Sequence, residues 1–224
     1  MEIEGKRVVI TGAGRGLGRA LVTAFVDAGA AEVIAGTRTR EDREALILER
    51  VTPVQLEVRS DEDVEAVARL GPFDILINNA GVAGYGNPIT MDFAAIEEEV
   101  AVNYLGVLRV TRAIAPGMIA KRDGMIVNVA TAFAKVNLPI VGTYCATKSA
   151  LLSLGQALRA YLSEHGVRVI TVMPTTIDTD MSRGADVPKM TKEFVCAEIL
   201  NAIREETHDP PIGDEAKEIL AKFK

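Results

Sequence analysis

The sequence predicts a doubly wound α/β fold with a mostly parallel sheet of six or seven strands and helices on both faces. Two observations lead to this prediction. Short apolar stretches alternate with longer helical patterns along the chain, which is the order of βαβ units in a parallel sheet. The short stretches are also apolar at nearly every position, as expected for strands that are covered on both faces.

The predicted elements follow one another in chain order. Six strands are predicted, at residues 7–11, 32–36, 54–58, 75–78, 125–129 and 168–173. Four helices fit between them, at residues 16–28, 61–70, 94–120 and 143–164. Ser60 followed by Asp63 is typical of a helix N-cap with an acid in the first turn, and Pro116 predicts a kink or an end in the third helix. Residues 175–191 are predicted to form a long loop, and two short helices separated by a break at residues 209–211 are predicted after it.

Length and composition exclude several classes of protein. The 224 residues show no linker pattern, so we expect one domain spanning residues 1–224. A net charge of −6 argues against nucleic acid as a partner, and no apolar run is long enough to span a membrane. Cys145 and Cys196 are too few for a disulfide framework, which together with the lack of a signal-peptide pattern favours a cytoplasmic location. His165 and His208 are isolated, so no metal site is predicted.

A glycine-rich turn follows the first predicted strand and leads directly into a helix. Its glycines are Gly12, Gly16 and Gly18, in the spacing G-x-x-x-G-x-G. The backbone of such a turn can approach a pyrophosphate closely, and the N-terminus of the following helix favours an anion. A tight turn without a ligand is the alternative. The position after the first strand favours the dinucleotide site of a Rossmann-type fold.

Further motifs follow in a fixed order, and with the glycine spacing they resemble the short-chain dehydrogenase/reductase family over about residues 5–182. These motifs are N-N-A-G at residues 78–81, Asn103 in the long helix, Tyr144 and Lys148 as Y-x-x-x-K, and Pro174 with Thr179 after the sixth strand. The resemblance implies hydride transfer between a nicotinamide cofactor and a small-molecule carbonyl or alcohol.

The resemblance also indicates which cofactor is used. Where the family has an acid that holds the ribose hydroxyls of NAD, this chain has Thr37, followed by Arg38. Arg38, together with Arg15 in the glycine turn, would bind the 2′-phosphate of NADP(H) through charge-assisted hydrogen bonds. The alternative is that both arginines are ordinary surface residues.

The other residues that the resemblance places against the cofactor belong to five parts of the chain. They are Gly12, Gly16, Leu17 and Gly18 in the turn, Glu57 and Val58 at the adenine, Asn79, Ala80 and Gly81 after the fourth strand, Tyr144 and Lys148, and Pro174, Ile177 and Thr179 at the nicotinamide carboxamide.

Tyr144 and Lys148 lie four residues apart, so on a helix they share one face. An ammonium nearby is expected to lower the pKa of the tyrosine, which then exchanges a proton with the substrate oxygen; an ordinary helix face is the alternative. The family places a serine thirteen residues before this tyrosine, and here that position is Thr131. Its hydroxyl keeps the serine's hydrogen-bonding capacity, although the methyl could narrow the site or efficient catalysis could be lost. Asn103 is implied to hold a water near Lys148.

The interpretation from sequence is therefore an NADPH-dependent reductase of an aldehyde or ketone, reversible as alcohol oxidation. The alternatives are a non-catalytic NADP-binding regulator or scaffold and an NAD(P)-dependent epimerase or dehydratase. Residues 85–88, 132–141 and 175–191 are expected to shape the substrate pocket, and their apolar content favours an apolar or aromatic substrate. A homo-oligomer, dimer or tetramer, is expected.

Overall fold

The computed structural model describes residues 1–222 and contains a seven-stranded parallel sheet. The strands are β1 (Arg7–Ile10), β2 (Glu32–Thr37), β3 (Val51–Gln55), β4 (Ile75–Asn78), β5 (Gly124–Val129), β6 (Val167–Pro174) and β7 (Pro211–Ile212). Their order across the sheet is β3-β2-β1-β4-β5-β6-β7, and every neighbouring pair is parallel. This order is that of a doubly wound Rossmann-type fold, so the predicted fold class is confirmed.

Eight helices connect and flank the strands in the described residues. They are α1 (Gly16–Asp27), α2 (Arg40–Glu44), α3 (Asp61–Ala68), α4 (Phe93–Val100), α5 (Val107–Lys121), α6 (Gly142–Ser163), α7 (Lys192–Glu205) and α8 (Asp214–Ala221). The hydroxyl of Ser60 accepts a hydrogen bond from Asp63 N at 3.2 Å, which confirms the predicted cap of α3. None of the helices within residues 1–222 is both long and apolar enough to cross a membrane.

Alternate residues of the strands point into two separate apolar cores. In β1, Val8 packs in the cluster that also contains Phe25 of α1 and Ile203 of α7. The residue between Val8 and Ile10, Val9, packs in the other cluster, with residues of α3, α5 and α6. Because both faces are covered by helices, only the ends of the strands are left for loops and ligands.

The third strand lies three residues earlier than predicted. It spans Val51–Gln55 and pairs with β2 alone, at the edge of the sheet. Pro53 lies within it, and an edge strand tolerates a proline because its other side needs no hydrogen-bond partner. Glu57 and Val58 therefore follow the strand instead of ending it.

The long third helix is not a single regular helix. α4 and α5 are joined by a π-helical segment, Ala101–Gly106. Pro116 neither ends nor interrupts α5, which continues to Lys121. The proline is exposed, so the carbonyl that its missing N–H leaves free can bind water, while Ala115 and Met118 bury the opposite face.

Residues 175–191 form a loop, as predicted, with one short 3₁₀ turn at Asp180–Ser182. Its ends are joined by backbone hydrogen bonds of 2.9 Å from Asp178 N to Met190 O and from Met190 N to Thr176 O. The break predicted at residues 209–211 leads into β7, which pairs with the end of β6.

Candidate active site

A cleft of about 740 Å³ opens where the parallel strands end. It is lined by every residue that the sequence predicts against the cofactor, and by Thr131. The cleft lies where the strand order reverses, between β1 and β4, which is where doubly wound folds bind ligands. The order of the strands also decides which residues line each part of the cleft. Thr37 ends β2 and the glycine turn follows β1, while Asn79 follows β4. Further along the sheet, Thr131 lies shortly after the end of β5, and Pro174 ends β6.

The glycine turn is built so that its backbone, and not side chains, faces the cleft. Gly16 has a φ of +55°, and a Cβ on Gly18 would lie 2.1 Å from the carbonyl oxygen of Gly12. α1 begins at Gly16 with no side-chain cap and no acid in its first turn. Its first N–H groups are therefore available to an anion, which fits the pyrophosphate of a dinucleotide.

Thr11, which the sequence analysis did not single out, fastens this turn to the end of β4. Its hydroxyl oxygen accepts hydrogen bonds from Asn79 N and Ala80 N, both at 3.0 Å. The Asn79 side chain in return donates to the carbonyls of Thr11, at 3.0 Å, and Gly12, at 3.2 Å. Asn79 thus positions the turn as well as lining the cleft. The only signal in the sequence was the place of Thr11 between the strand and Gly12.

Two arginines lie at the β1–β2 end of the cleft. Arg15 and Arg38 both line it and are exposed, while Thr37 is buried between them and the sheet. Within residues 1–222, neither guanidinium lies within ion-pair distance of a carboxylate. Asp42 of α2 lines the same end, beside Gly14. This end therefore presents two guanidinium groups that can donate to a phosphate, and one carboxylate, Asp42, that cannot.

The carboxylate of Glu57 is already engaged. Arg59 donates to both of its oxygens at 3.0 Å, and this hydrogen bonding lowers the pKa of Glu57. Glu57 and the buried Val58 line the cleft next to Leu56. The adenine position predicted from the sequence is thus lined mainly by apolar groups and by a carboxylate that is paired with Arg59.

Tyr144 and Lys148 lie on the part of α6 that faces the cleft. The Nζ atom of Lys148 lies 5.7 Å from the centre of the Tyr144 ring and donates to Val129 O at 2.8 Å. Burial lowers the pKa of Lys148 to about 8. Burial also raises the pKa of Tyr144 above its ordinary value, and the Glu99 carboxylate adds to that rise. The pKa of Tyr144 is thus raised and not lowered as expected, because burial desolvates the phenol.

Thr131 lies at the bottom of the cleft, with 4% of its surface exposed. Its hydroxyl donates to Pro174 O at 2.9 Å and accepts from Phe133 N at 3.3 Å. The side chain thereby ties the end of β5 to the end of β6. The proton that would orient a substrate oxygen is engaged by a backbone carbonyl in this arrangement.

Asn103 is fully buried in the π-helical segment, behind the cleft wall. Its amide accepts from Val82 N at 2.9 Å and donates to Val82 O at 2.8 Å and to the Thr147 hydroxyl at 3.0 Å. A Cβ on Gly81 would lie 3.3 Å from Asn103 Oδ1 and 3.5 Å from Lys148 Nζ. Asn103 Oδ1 and Lys148 Nζ therefore both lie beside the place that a side chain at position 81 would occupy.

Glu99 is a second buried side chain that the sequence analysis missed. It is 1% exposed, and its Oε1 atom accepts from Gly84 N at 2.6 Å. Its Oε2 atom has no hydrogen-bond partner within residues 1–222. Glu99 and Asn103, about one helical turn apart, thus hold the backbone of residues 82–84. Three consecutive glutamates are typical of an exposed helix face, so no sequence pattern indicates this role.

The loop after β6 reaches across the cleft to the glycine turn. Ile177 and Thr179 line the cleft, and a Cβ on Gly16 would lie 3.5 Å from Thr179 Cγ2. Thr175 is buried behind them. The described residues contain no group of three or more His, Cys, Asp or Glu side chains that could hold a metal ion.

A model of the family described as short chain dehydrogenase matches residues 6–188. The chain belongs to the short-chain dehydrogenase family. Among curated relatives of this dehydrogenase, D-erythrulose reductase of Gallus gallus is 39% identical over 187 residues, which are 82% of this chain and 76% of that protein. L-xylulose reductase of Mus musculus is 38% identical over 185 residues, 81% of this chain and 75% of that protein.

A solved structure with similar architecture is that of a short-chain dehydrogenase from Burkholderia cenocepacia J2315 in complex with NADP. It has a TM-score of 0.95 and 36% sequence identity, and the match covers 99% of this dehydrogenase and 93% of the solved chain. The fold with its seven-stranded sheet is thus that of the family.

Proposed function

We propose that this dehydrogenase is an NADPH-dependent reductase of an aldehyde or ketone, with residues 1–224 acting as one catalytic domain. The observation that carries the proposal is the cleft itself. A single cavity is lined by the glycine turn, by Arg38 and by Tyr144 and Lys148. A dinucleotide site and an acid/base pair in one cavity are what hydride transfer requires, because donor, acceptor and proton source must meet.

The charges at the β1–β2 end favour NADP(H) over NAD(H). Arg15 and Arg38 have no carboxylate partner among the described residues, and Thr37 stands where an acid would repel a 2′-phosphate. Two guanidinium groups can bind that phosphate with charge-assisted hydrogen bonds. The NADP named in the Burkholderia cenocepacia structure supports the same choice.

NADPH, when bound, supplies the hydride that reaches the carbonyl carbon. Tyr144 donates its proton to the carbonyl oxygen, and it takes a proton from the alcohol in the reverse direction. Burial raises the pKa of Tyr144, so the phenol keeps its proton at neutral pH, as an acid must. The Lys148 ammonium, 5.7 Å from the ring centre, stabilises the phenolate that proton donation leaves behind.

Thr131 and Asn103 complete this proposal. Thr131 exchanges its hydrogen bond to Pro174 O for one to the substrate oxygen, which a rotation of the hydroxyl allows. Asn103 and Lys148, which both lie beside Gly81, hold a water that returns a proton to Tyr144. Pro174, Ile177 and Thr179 hold the nicotinamide carboxamide from the loop after β6, and Ala80 and Val58 pack along the cofactor.

One observation favours the alternative of a non-catalytic NADP-binding regulator. The Thr131 hydroxyl already donates to Pro174 O at 2.9 Å, so the site as it stands lacks a free donor for the substrate oxygen. Tyr144 and Lys148 in the same cleft favour catalysis, since a pure binding protein has no use for a buried acid/base pair. If the protein binds NADPH but no carbonyl compound oxidises the bound NADPH, the protein is a regulator and not a reductase.

The test is a comparison of NADPH and NADH binding, followed by NADPH oxidation with a panel of aldehydes and ketones. We expect the wild-type protein to bind NADPH more tightly than NADH. We expect Arg38→Asp to weaken NADPH binding by at least about tenfold, which corresponds to about 1.4 kcal/mol. Arg40→Asp is the matched control, because Arg40 is exposed, pairs with Glu44 and does not line the cleft. Tighter binding of NADH by the wild type would show that the cofactor assignment is wrong.

A further inference from the structure

Three loops meet at the end of the cleft that lies over β5 and β6, and two hydrogen bonds join them. The Tyr85 hydroxyl, in the loop after β4, donates to Met181 O of the loop after β6 at 2.7 Å. Gly86 N donates to Ile140 O, between β5 and α6, at 2.9 Å. These bonds engage polar groups of all three loops with one another, so what remains toward the cleft is mainly side-chain carbon.

The side chains that line this end of the cleft are predominantly large and apolar. We call the following six residues the apolar mouth: Tyr85, Phe133, Leu138, Ile140, Met181 and Val187. Four of them are exposed although they are apolar, with Ile140 at 63%, Tyr85 at 53%, Val187 at 50% and Met181 at 41%. Exposed apolar groups gathered at the rim of one cavity are typical of a surface that a ligand covers.

Charge at the apolar mouth disfavours an anionic ligand. Among the described residues that line the cleft, Arg15 and Arg38 lie at the other end, and Lys148 is buried and donates to Val129 O. The charged residues that line the cleft from the β6 and β7 side are Asp180, which pairs with Arg183, and Glu215 of α8. A carboxylate or phosphate bound here would face the Glu215 carboxylate, and the Arg183 cation is already paired with Asp180, so the charge of the ligand would not be balanced.

We propose that the apolar mouth binds the hydrocarbon part of a neutral ketone or aldehyde, and that polyhydroxylated ketoses and keto acids are poor substrates. This rests on the proposed reductase function. The carbonyl carbon gains a hydride from NADPH, the carbonyl oxygen gains a proton from Tyr144, and the products are NADP⁺ and a secondary or primary alcohol. The hydrocarbon chain lies against Ile140 and its neighbours, where hydroxyl groups would lose their hydration without finding partners.

The experiment compares kcat/KM for a series of methyl ketones, from methyl ethyl to methyl hexyl ketone, with that for erythrulose, xylulose and pyruvate. Each added methylene that is buried is expected to raise kcat/KM by about threefold to fourfold until the mouth is filled. The ketoses and pyruvate are expected to react less efficiently than methyl hexyl ketone by about tenfold or more. Equal or higher efficiency with a ketose or pyruvate, or no rise along the series, overturns this inference and leaves the reductase standing.

If NADPH is bound but none of these compounds oxidises it, the inference and the proposed function are both wrong. The Ile140→Ser variant tests binding at the apolar mouth without changing the residues that transfer the proton. Ile140 is exposed, so the loss of its side chain does not open the core. It is expected to lower kcat/KM for methyl hexyl ketone by about fivefold to tenfold and kcat/KM for methyl ethyl ketone by much less, because the shorter chain contacts less of the mouth. The matched control is Ile89→Ser, which is 89% exposed and does not line the cleft. An equal loss in both variants, or none with Ile140→Ser, overturns the assignment of the mouth.

Discussion

At the residue scale, Thr131 occupies two roles that its side chain cannot fill at once. Its hydroxyl ties β5 to β6 through Pro174 O, and the proposed chemistry needs the same proton at the substrate oxygen. The sequence could place a hydroxyl thirteen residues before Tyr144, but it could not show which acceptor takes the proton. That choice depends on how closely β6 approaches β5, which is a tertiary contact.

The substitution Thr131→Val keeps the shape of the side chain and removes the hydroxyl. We expect turnover to fall by about 100-fold, because losing one donor to a developing oxyanion costs about 3 kcal/mol. Thr131→Ser is the control, since it keeps the hydroxyl and should retain turnover. Rates are measured at saturating NADPH, with the cofactor Kd measured separately. Wild-type turnover in the Val variant would remove Thr131 from the mechanism.

The charge of Lys148 gives a pH dependence that differs from that of Tyr144. The ammonium is present below the pKa of about 8 that burial gives Lys148, and it is lost as the pH rises through that value. Tyr144, whose pKa burial raises, keeps its proton over the same range. We therefore expect kcat for carbonyl reduction at saturating NADPH to be constant below this value and to fall above it. A profile that stays flat to about pH 10, the ordinary tyrosine pKa, contradicts the role given to the Lys148 ammonium.

At the element scale, the sequence predicted well what depends on local pattern. Strands that are covered on both faces have continuous apolar runs, so β4 and β5 were located closely, and the cap of α3 was visible in Ser60 and Asp63. The strand predicted at residues 54–58 lies at Val51–Gln55 in the structure. The sequence placed its start after Pro53 because proline is unusual inside a strand. The π-helical segment around Asn103 was not predicted, since its widened turn depends on packing against residues 81–84 and α6. Elements that tertiary contacts decide were the ones missed.

The junction of α4 with the π-helical segment acts on the loop before it through Glu99. The variant Glu99→Val leaves Gly84 N without its acceptor and frees the backbone beside Tyr85. We expect KM for the carbonyl substrate to rise by about fivefold, with kcat changed much less. Glu99→Gln keeps an acceptor for Gly84 N and should restore the KM of the wild type, which a general loss of stability would not do. An unchanged KM in the Val variant would show that Glu99 does not position this loop.

At the scale of the whole molecule, the order of the strands carries the function. Placing β1 between β2 and β4 puts Arg38 on one side of the glycine turn, which contains Arg15, and the acid/base pair on the other. The sequence predicted this arrangement because the motifs follow the chain order of a parallel sheet. The three segments that form the apolar mouth, and their apolar content, were also predicted from the sequence. Which of their side chains face the cleft was not predicted, because that depends on the hydrogen bonds between the three loops.

The central claim is that one cleft binds NADPH and that Tyr144 supplies the proton for reduction. The most direct test is steady-state NADPH oxidation by Tyr144→Phe with the carbonyl compound that the wild type reduces best, alongside NADPH titration of both proteins. We expect turnover to fall by a factor of about 100 or more while the NADPH Kd is unchanged, because the ring still packs in the cleft and only the proton is lost. Turnover equal to that of the wild type, with NADPH still bound, would contradict it.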